Sequence, residues 1–301
     1  MTGITRKQAL AAGLAAYVMW GAFPPYFSLL KAATPLEILG HRIVWSFAAV
    51  LITLVATRSD WAWLRTGVFT RRTFGWLAAA TVLIGANWLI YIWAVNDGHV
   101  VEASVGYFIN PLVSVLLGVV FFGEKLGRGG RIGGTIALLG VVIISWGHWS
   151  TLWISLLLAL SFGGYGAVKK RAHLTPLQGL LVESGLLLPF AIIYLVWLGT
   201  QGQGQFGTAP GITLLLMSSG IVTALPLYLF ALAATRLPLG VVGILQYVTP
   251  TMQFLFGIFL FKEAVALSYW IGVIAIWIGS VIYLTLTLRD SKAPEVLPGD
   301  A

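Results

Sequence analysis

The sequence predicts an all-α polytopic membrane protein with ten transmembrane helices arranged as two inverted five-helix repeats. Three observations carry that expectation. The 301 residues are 58% hydrophobic and only 9% charged, with a mean hydropathy of +0.91, which is too little charge to cover a water-soluble surface. The apolar residues fall in ten long runs with basic residues gathered in alternate gaps, and the two halves match at an offset near 139 residues.

A helix crossing the roughly 30 Å hydrocarbon layer needs about 20 largely apolar residues. In order, the runs occupy 9–30, 36–56, 73–95, 101–123, 132–149, 151–168, 177–198, 210–233, 240–261 and 267–288. They are continuously apolar rather than alternating, which selects helices over a β-barrel. The first run follows Arg6 and Lys7 as a signal peptide would. At about 22 residues it exceeds an ordinary signal core, and no clear small-residue cleavage site follows, so it is read as the first helix. Short linkers force neighbouring helices to run antiparallel, and the many Gly and Ala residues allow close packing.

Basic residues mark cytoplasmic loops. With the N-terminus inside, the inner set is Arg6, Lys7, Arg58, Arg65, Arg71, Arg72, Lys125, Arg128, Arg131, Lys169, Lys170, Arg171, Arg236, Arg289 and Lys292, and the outer set only Lys31 and Lys262. Both termini are therefore expected in the cytoplasm, with the chain in a bacterial inner (plasma) membrane. The same bias accounts for the net charge of +8 without a nucleic-acid partner. There is no cysteine, and so no disulfide or thiolate chemistry. The four histidines are scattered, with no His-Glu-x-x-His zinc pair and no Walker-type phosphate loop. No metal, no cofactor and no enzymatic activity are expected.

Placing Pro111 on Pro250 also aligns Phe108 with Tyr247, Gly118 with Gly257, Glu124 with Glu263, Gly133 with Gly272 and Gly140 with Gly279. Thr34-Pro35-Leu36 and Thr175-Pro176-Leu177 open the second and seventh runs alike, with the offset drifting by two. The chain thus divides into a first repeat at 1–149, a second at 150–288 and a disordered cytoplasmic tail at 289–301. Five helices per repeat is an odd number, so the second repeat enters the membrane with the opposite sense. Such repeats recur in secondary transporters, where two exchangeable bundles alternate access to a central site. The alternatives are a duplicated scaffold or sensor and, behind it, a membrane-embedded enzyme.

Polar groups at membrane depth are costly and should face the bundle interior. In the second run, His41, Arg42 and Trp45 share adjoining parts of one helical face, and a cation beside an aromatic can hold an anionic or aromatic substrate. The competing reading has Arg42 snorkelling to the outer headgroups. Glu183 takes the corresponding place in the second repeat and is the candidate carboxylate for proton coupling, against a carboxylate satisfied by water or a basic loop. A direct Arg42–Glu183 pair would have to cross a vertical gap of about 10 Å and is not assumed. Asn87, Trp88 and Tyr91 in the third run join Tyr107 and Asn110 in the fourth, with Gln246 and Tyr247 at the equivalent level of the ninth. All are candidate cavity residues; their alternative use is interhelical hydrogen bonding. Pro111 and Pro250 free a backbone carbonyl at matching positions and are candidate hinges.

Trp61, Trp63 and Trp149 read as interfacial anchors. Gly133, Gly140 and Gly147, like Gly272 and Gly279, recur every seven residues as packing stripes. Glu124-Lys125 and Lys262-Glu263 read as loop or capping charges, and Glu102 as interfacial.

Several strings are more specific than this pattern. Trp20-Gly21 with Pro24, His41-Arg42-Ile43-Val44-Trp45-Ser46, Asn87-Trp88, Glu102 to Pro111 (EASVGYFINP), Tyr165-Gly166 before Lys169-Lys170-Arg171, and Leu245 to Thr251 (LQYVTPT) span nearly the whole chain. In these the sequence resembles the RarD branch of the EamA-type drug/metabolite transporter superfamily. The resemblance implies ten helices in two inverted repeats, cytoplasmic termini and alternating access to a central cavity. The expected partners are the lipid bilayer and a small-molecule substrate, exported as metabolite or drug, with protons as coupling ion and exchange or facilitated diffusion as the alternatives, and the protein is expected to be a monomer.

Overall fold

The structure, a computed structural model, describes residues 5–68, 71–122, 127–146, 149–169, 171, 174–234, 236–237 and 239–290. Among these, all regular structure is helical: α1 (Arg6–Gly21), α2 (Phe23–Ser28), α3 (Pro35–Ala56), α4 (Arg71–Asn96), α5 (Val100–Phe122), α6 (Arg128–Ser145), α7 (Trp149–Lys169), α8 (Pro176–Thr200), α9 (Pro210–Ala234), α10 (Leu239–Leu245), α11 (Val248–Leu255) and α12 (Leu267–Asp290). Two π-helical turns, Leu64–Val68 and Phe256–Leu260, complete the set. Glu124, Lys125, Gly147, Lys170 and the chain beyond Asp290 lie outside the described residues.

Six described helices are long and apolar enough to cross a membrane: Pro35–Ala56, Thr73–Asn96, Ser150–Lys169, Pro176–Thr200, Pro210–Ala234 and Val241–Leu260. Their outward faces carry Ile52, Val82, Phe190 and Ile193, each more than 65% exposed. Large exposed apolar faces of this kind are stable when lipid rather than water covers them.

Local chemistry explains where several helices start. The Thr34 hydroxyl accepts from the Glu37 N–H at 3.2 Å, and Pro35 occupies the first turn. Thr175 repeats the arrangement over Pro176, and the Gln178 side chain returns a bond to the Thr175 N–H at 3.0 Å. In both, a hydroxyl satisfies an orphan donor and the proline sits where its missing N–H costs nothing.

Two runs are broken where single helices were expected. The first divides at Ala22, ahead of Pro24-Pro25, and α2 continues it for six residues. The ninth divides at Gln246-Tyr247. Pro250 is the third residue of α11, a position with no intrahelical donor to lose, whereas α5 runs unbroken through Pro111.

The core is made by contacts between helices distant in sequence. α6 packs on α12, α3 on α8 and α9, α5 on α7 and α11, α4 on α7 and α8, and α1 on α9 and α11. Glycine permits the closest crossing. A methyl group on Gly140 would stand 2.6 Å from the Gly272 carbonyl oxygen, and one on Gly279 would stand 2.5 Å from that of Gly133. The stripes of small residues read from the sequence are thus the α6–α12 interface. Lys262-Glu263 is a loop pair, as expected. Its Glu263 carboxylate accepts from the Val100 and Val101 N–H groups at 2.7 Å each, capping α5 from across the fold.

Candidate functional site

Arg42, on α3, is only 4% exposed. The break at Ala22 turns α2 so that Phe23 and Phe27 face it, and α4 brings Trp88. The guanidinium carbon lies 4.3 Å from the Trp88 ring centroid, 5.4 Å from that of Phe23 and 5.5 Å from that of Phe27. Its Nε donates to the Thr223 hydroxyl of α9 at 3.0 Å. Tyr26, Tyr91 and Tyr107 stand within electrostatic range. Among the described residues no carboxylate pairs with it. A charge at membrane depth costs about 2.5–3.5 kcal/mol on insertion scales. A desolvated cation–π contact returns about 2 kcal/mol, so three aromatic faces and one hydroxyl hold the charge inside. Arg42 does not snorkel; it is buried in the core.

The expected Arg42–Trp45 pairing is replaced by Arg42 over Trp88. The Trp45 backbone packs against Gly220 of α9, and its ring lies 6.4 Å from Phe206. Phe206, in the loop between α8 and α9, stacks on His41 at 4.6 Å. That loop is held by Glu37, which is 1% exposed and accepts from the Gln205 and Phe206 N–H groups at 2.6 and 3.2 Å.

Asn87 ties three helices together. Its amide donates to the Leu158 carbonyl at 3.1 Å and the Ser161 hydroxyl at 3.0 Å, and it accepts from the Tyr107 hydroxyl at 3.2 Å. This is the interhelical bonding alternative, realised beside the Arg42 cluster. Tyr91, 1% exposed, packs against Phe23, Phe27 and Tyr107, and its hydroxyl has no partner among the described residues. The Asn110 side-chain Oδ1 is likewise buried without one.

Tyr247 stands elsewhere, with Pro111, Gly279, Ser280 and Tyr283 along a small cleft between α5, α6 and α12. Gln246 is half-buried at the α10–α11 break. The structure therefore brings Arg42, Trp88, Tyr91 and Tyr107 together, with Asn87 behind them, and places His41 with Trp45 at the Phe206 loop.

Glu183, on α8 and 1% exposed, forms a separate cluster. Its carboxylate pairs with Lys169 at 2.9 Å and accepts from the Tyr165 hydroxyl at 3.1 Å. Lys169 also bonds the Tyr165 hydroxyl and lies over its ring. Gly179 makes the room: a methyl group there would stand 2.6 Å from the Lys169 Nζ. Arg42 and Glu183 thus have separate partners.

Phe23, Phe27, Thr223, Phe206, Glu37, Tyr165 and Lys169 were not among the expected site residues. Three carried a signal: Tyr165 and Lys169 share a helix face at i,i+4, and Thr223 follows Ser219 at i,i+4 as one of few polar groups in an apolar run.

Buried charges between helices whose outer faces are apolar define a multi-pass membrane protein with a polar interior. Residues 7–146 match the EamA-like transporter family. Protein RarD of Streptomyces exfoliatus is 42% identical over 95% of this chain and 91% of its own length. Protein RarD of Escherichia coli K12 is 39% identical over 92% and 94%, and the uncharacterized transporter YojE of Bacillus subtilis 168 is 42% identical over 93% and 94%. A solved crystal structure 18% identical in sequence shares the fold, with a TM-score of 0.63 over 95% of this chain and all of that one. The chain belongs to the EamA-like transporter family, in its RarD branch.

Proposed function

We propose that this chain is a secondary transporter that exports a small metabolite or drug-like molecule by alternating access. In this reading ten transmembrane helices form two inverted repeats, residues 1–149 and 150–288, in the bacterial inner membrane with both termini cytoplasmic, and the protein works as a monomer.

The observation that carries the reading is the pairing of helices across the two halves. Matching α1–α2, α3, α4, α5 and α6 with α7, α8, α9, α10–α11 and α12 turns each main packing pair into another or into itself. The α5–α7 pair becomes α11–α1, α4–α7 becomes α9–α1, and α4–α8 becomes α9–α3. The α3–α8, α6–α12 and α5–α11 pairs map onto themselves. The glycines obey the same exchange, since Gly133 meets Gly279 and Gly140 meets Gly272. Two bundles related in this way can trade conformations at similar energy, which is what inward-open and outward-open states require.

Within this frame the Arg42 cluster and its neighbours form the substrate site, and Glu183 is the coupling carboxylate. Protonating Glu183 would release Lys169 and loosen α7 from α8; a proton gradient would then bias the exchange. Pro111 and the α10–α11 break near Pro250 are the hinges.

Proteoliposomes containing this protein alone should show flux of a small organic molecule, reduced by Arg42→Ala and responding to an imposed proton gradient. Glu183→Gln should abolish the gradient response. Absence of flux across a broad panel of metabolites and amphenicols would sink the transport reading, and an unchanged gradient response in Glu183→Gln would remove Glu183 from coupling.

A further inference from the structure

The two buried charges are treated differently by the fold. Glu183 has its counter-ion built in, supplied by Lys169 at 2.9 Å. Arg42 has none among the described residues. A guanidinium carries five N–H donors in a rigid fork, and among the described residues only the Nε–H is matched, to Thr223. The aromatic faces of Phe23, Phe27 and Trp88 stabilise a positive charge, but a ring face offers the terminal N–H groups no oxygen acceptor. Tyr91 flanks the same rings, with centroids 6.4 Å from Phe23 and 6.1 Å from Phe27, and its buried hydroxyl is also unmatched among the described residues. The cluster of α2, α3 and α4 side chains around the guanidinium therefore combines an uncompensated positive charge with flat aromatic faces among the described residues.

We infer that Arg42 binds a small organic monoanion, a carboxylate attached to an apolar or aromatic ring. The carboxylate would take the terminal guanidinium N–H groups as a two-pronged pair. The ring would replace part of the aromatic contact that now covers the charge. A neutral cargo would leave the guanidinium uncompensated, and a cationic one would be repelled. This inference rests on the transport reading, since it names the class of molecule carried.

The test uses the full-length protein in detergent micelles, titrated with benzoate, phenylacetate and hippurate, each against its neutral amide, with Tm as the readout. At least one carboxylate should raise Tm, and its amide should need about tenfold more ligand or worse for the same shift, because the lost interaction is a hydrogen bond to a charged group. Arg42→Gln should abolish the shift, and Arg42→Lys should keep part of it. The carboxylate-to-amide ratio is measured on the wild-type protein, so it stands even if Arg42→Gln fails to fold. Equal shifts from acid and amide, no shift from any acid, a shift that survives Arg42→Gln, or an equal shift from chloride or nitrate would each overturn the inference. The same pairs assayed in proteoliposomes separate it from the transport reading. A carboxylate that binds through Arg42 but is not moved supports the anion site and counts against transport. Flux of neutral cargo untouched by Arg42→Gln supports transport and overturns the anion site.

Discussion

Arg42 and Glu183 stand at matching places in the two halves, each eight residues after a threonine cap at Thr34 or Thr175. Each is nearly inaccessible, at 4% and 1%. Their surroundings differ in kind. Glu183 is neutralised by a lysine one helix away and braced by Tyr165. Arg42 is covered by rings and held by one hydroxyl. Two helices opened by the same threonine–proline start thus carry two different electrostatic solutions: one closed by an ion pair, the other by aromatic rings and one hydroxyl.

The sharpest way to break the comparison is to open the closed side. Lys169→Leu strands a buried carboxylate, and removing one partner of a buried pair costs about 3–5 kcal/mol. The double variant Lys169→Leu with Glu183→Leu should recover much of that loss in thermal unfolding. Failure to recover would mean that Lys169 does more than neutralise Glu183. On the Arg42 side, Thr223→Val removes the Nε donor bond, and about 1.5–3 kcal/mol should be lost. An unchanged Tm would show that the aromatic faces alone hold the guanidinium.

The common scaffold is tested next. Gly140→Ala and Gly279→Ala each force a methyl against a carbonyl oxygen of the facing helix, with an expected cost of about 1–3 kcal/mol from overpacking. Clearly unequal losses would argue against equivalent halves. The smallest effects belong to the caps. Thr34→Ala and Thr175→Ala should each cost about 1 kcal/mol, read as paired shifts in Tm, and a loss at only one of them would mark that opening as supported by other contacts.

Much of this architecture was legible in the residue order. Six apolar stretches long enough to cross a membrane appear as helices, Thr34 and Thr175 cap theirs, and the recurring glycines meet in one interface. The neighbours of Arg42 were not legible. Helical spacing places Arg42 near Trp45 along α3 but says nothing about what faces α3 from outside. Trp88 comes from α4, Thr223 from α9 and the two phenylalanines from α2. The role of Glu37 was beyond the local pattern for a related reason: its partners come from the loop after α8, which folds back onto it.

What the sequence by itself determined was solvation and local geometry: which segments prefer lipid, and where a hydroxyl and a proline start a helix. Those properties reside in contiguous residues and depend on no partner. Only the tertiary structure decided which charge meets a counter-ion and which meets aromatic rings. An ion pair or a cation–π contact depends on how distant helices cross and turn, and the Ala22 break that aims Phe23 and Phe27 at Arg42 acts through packing, not through spacing along the chain.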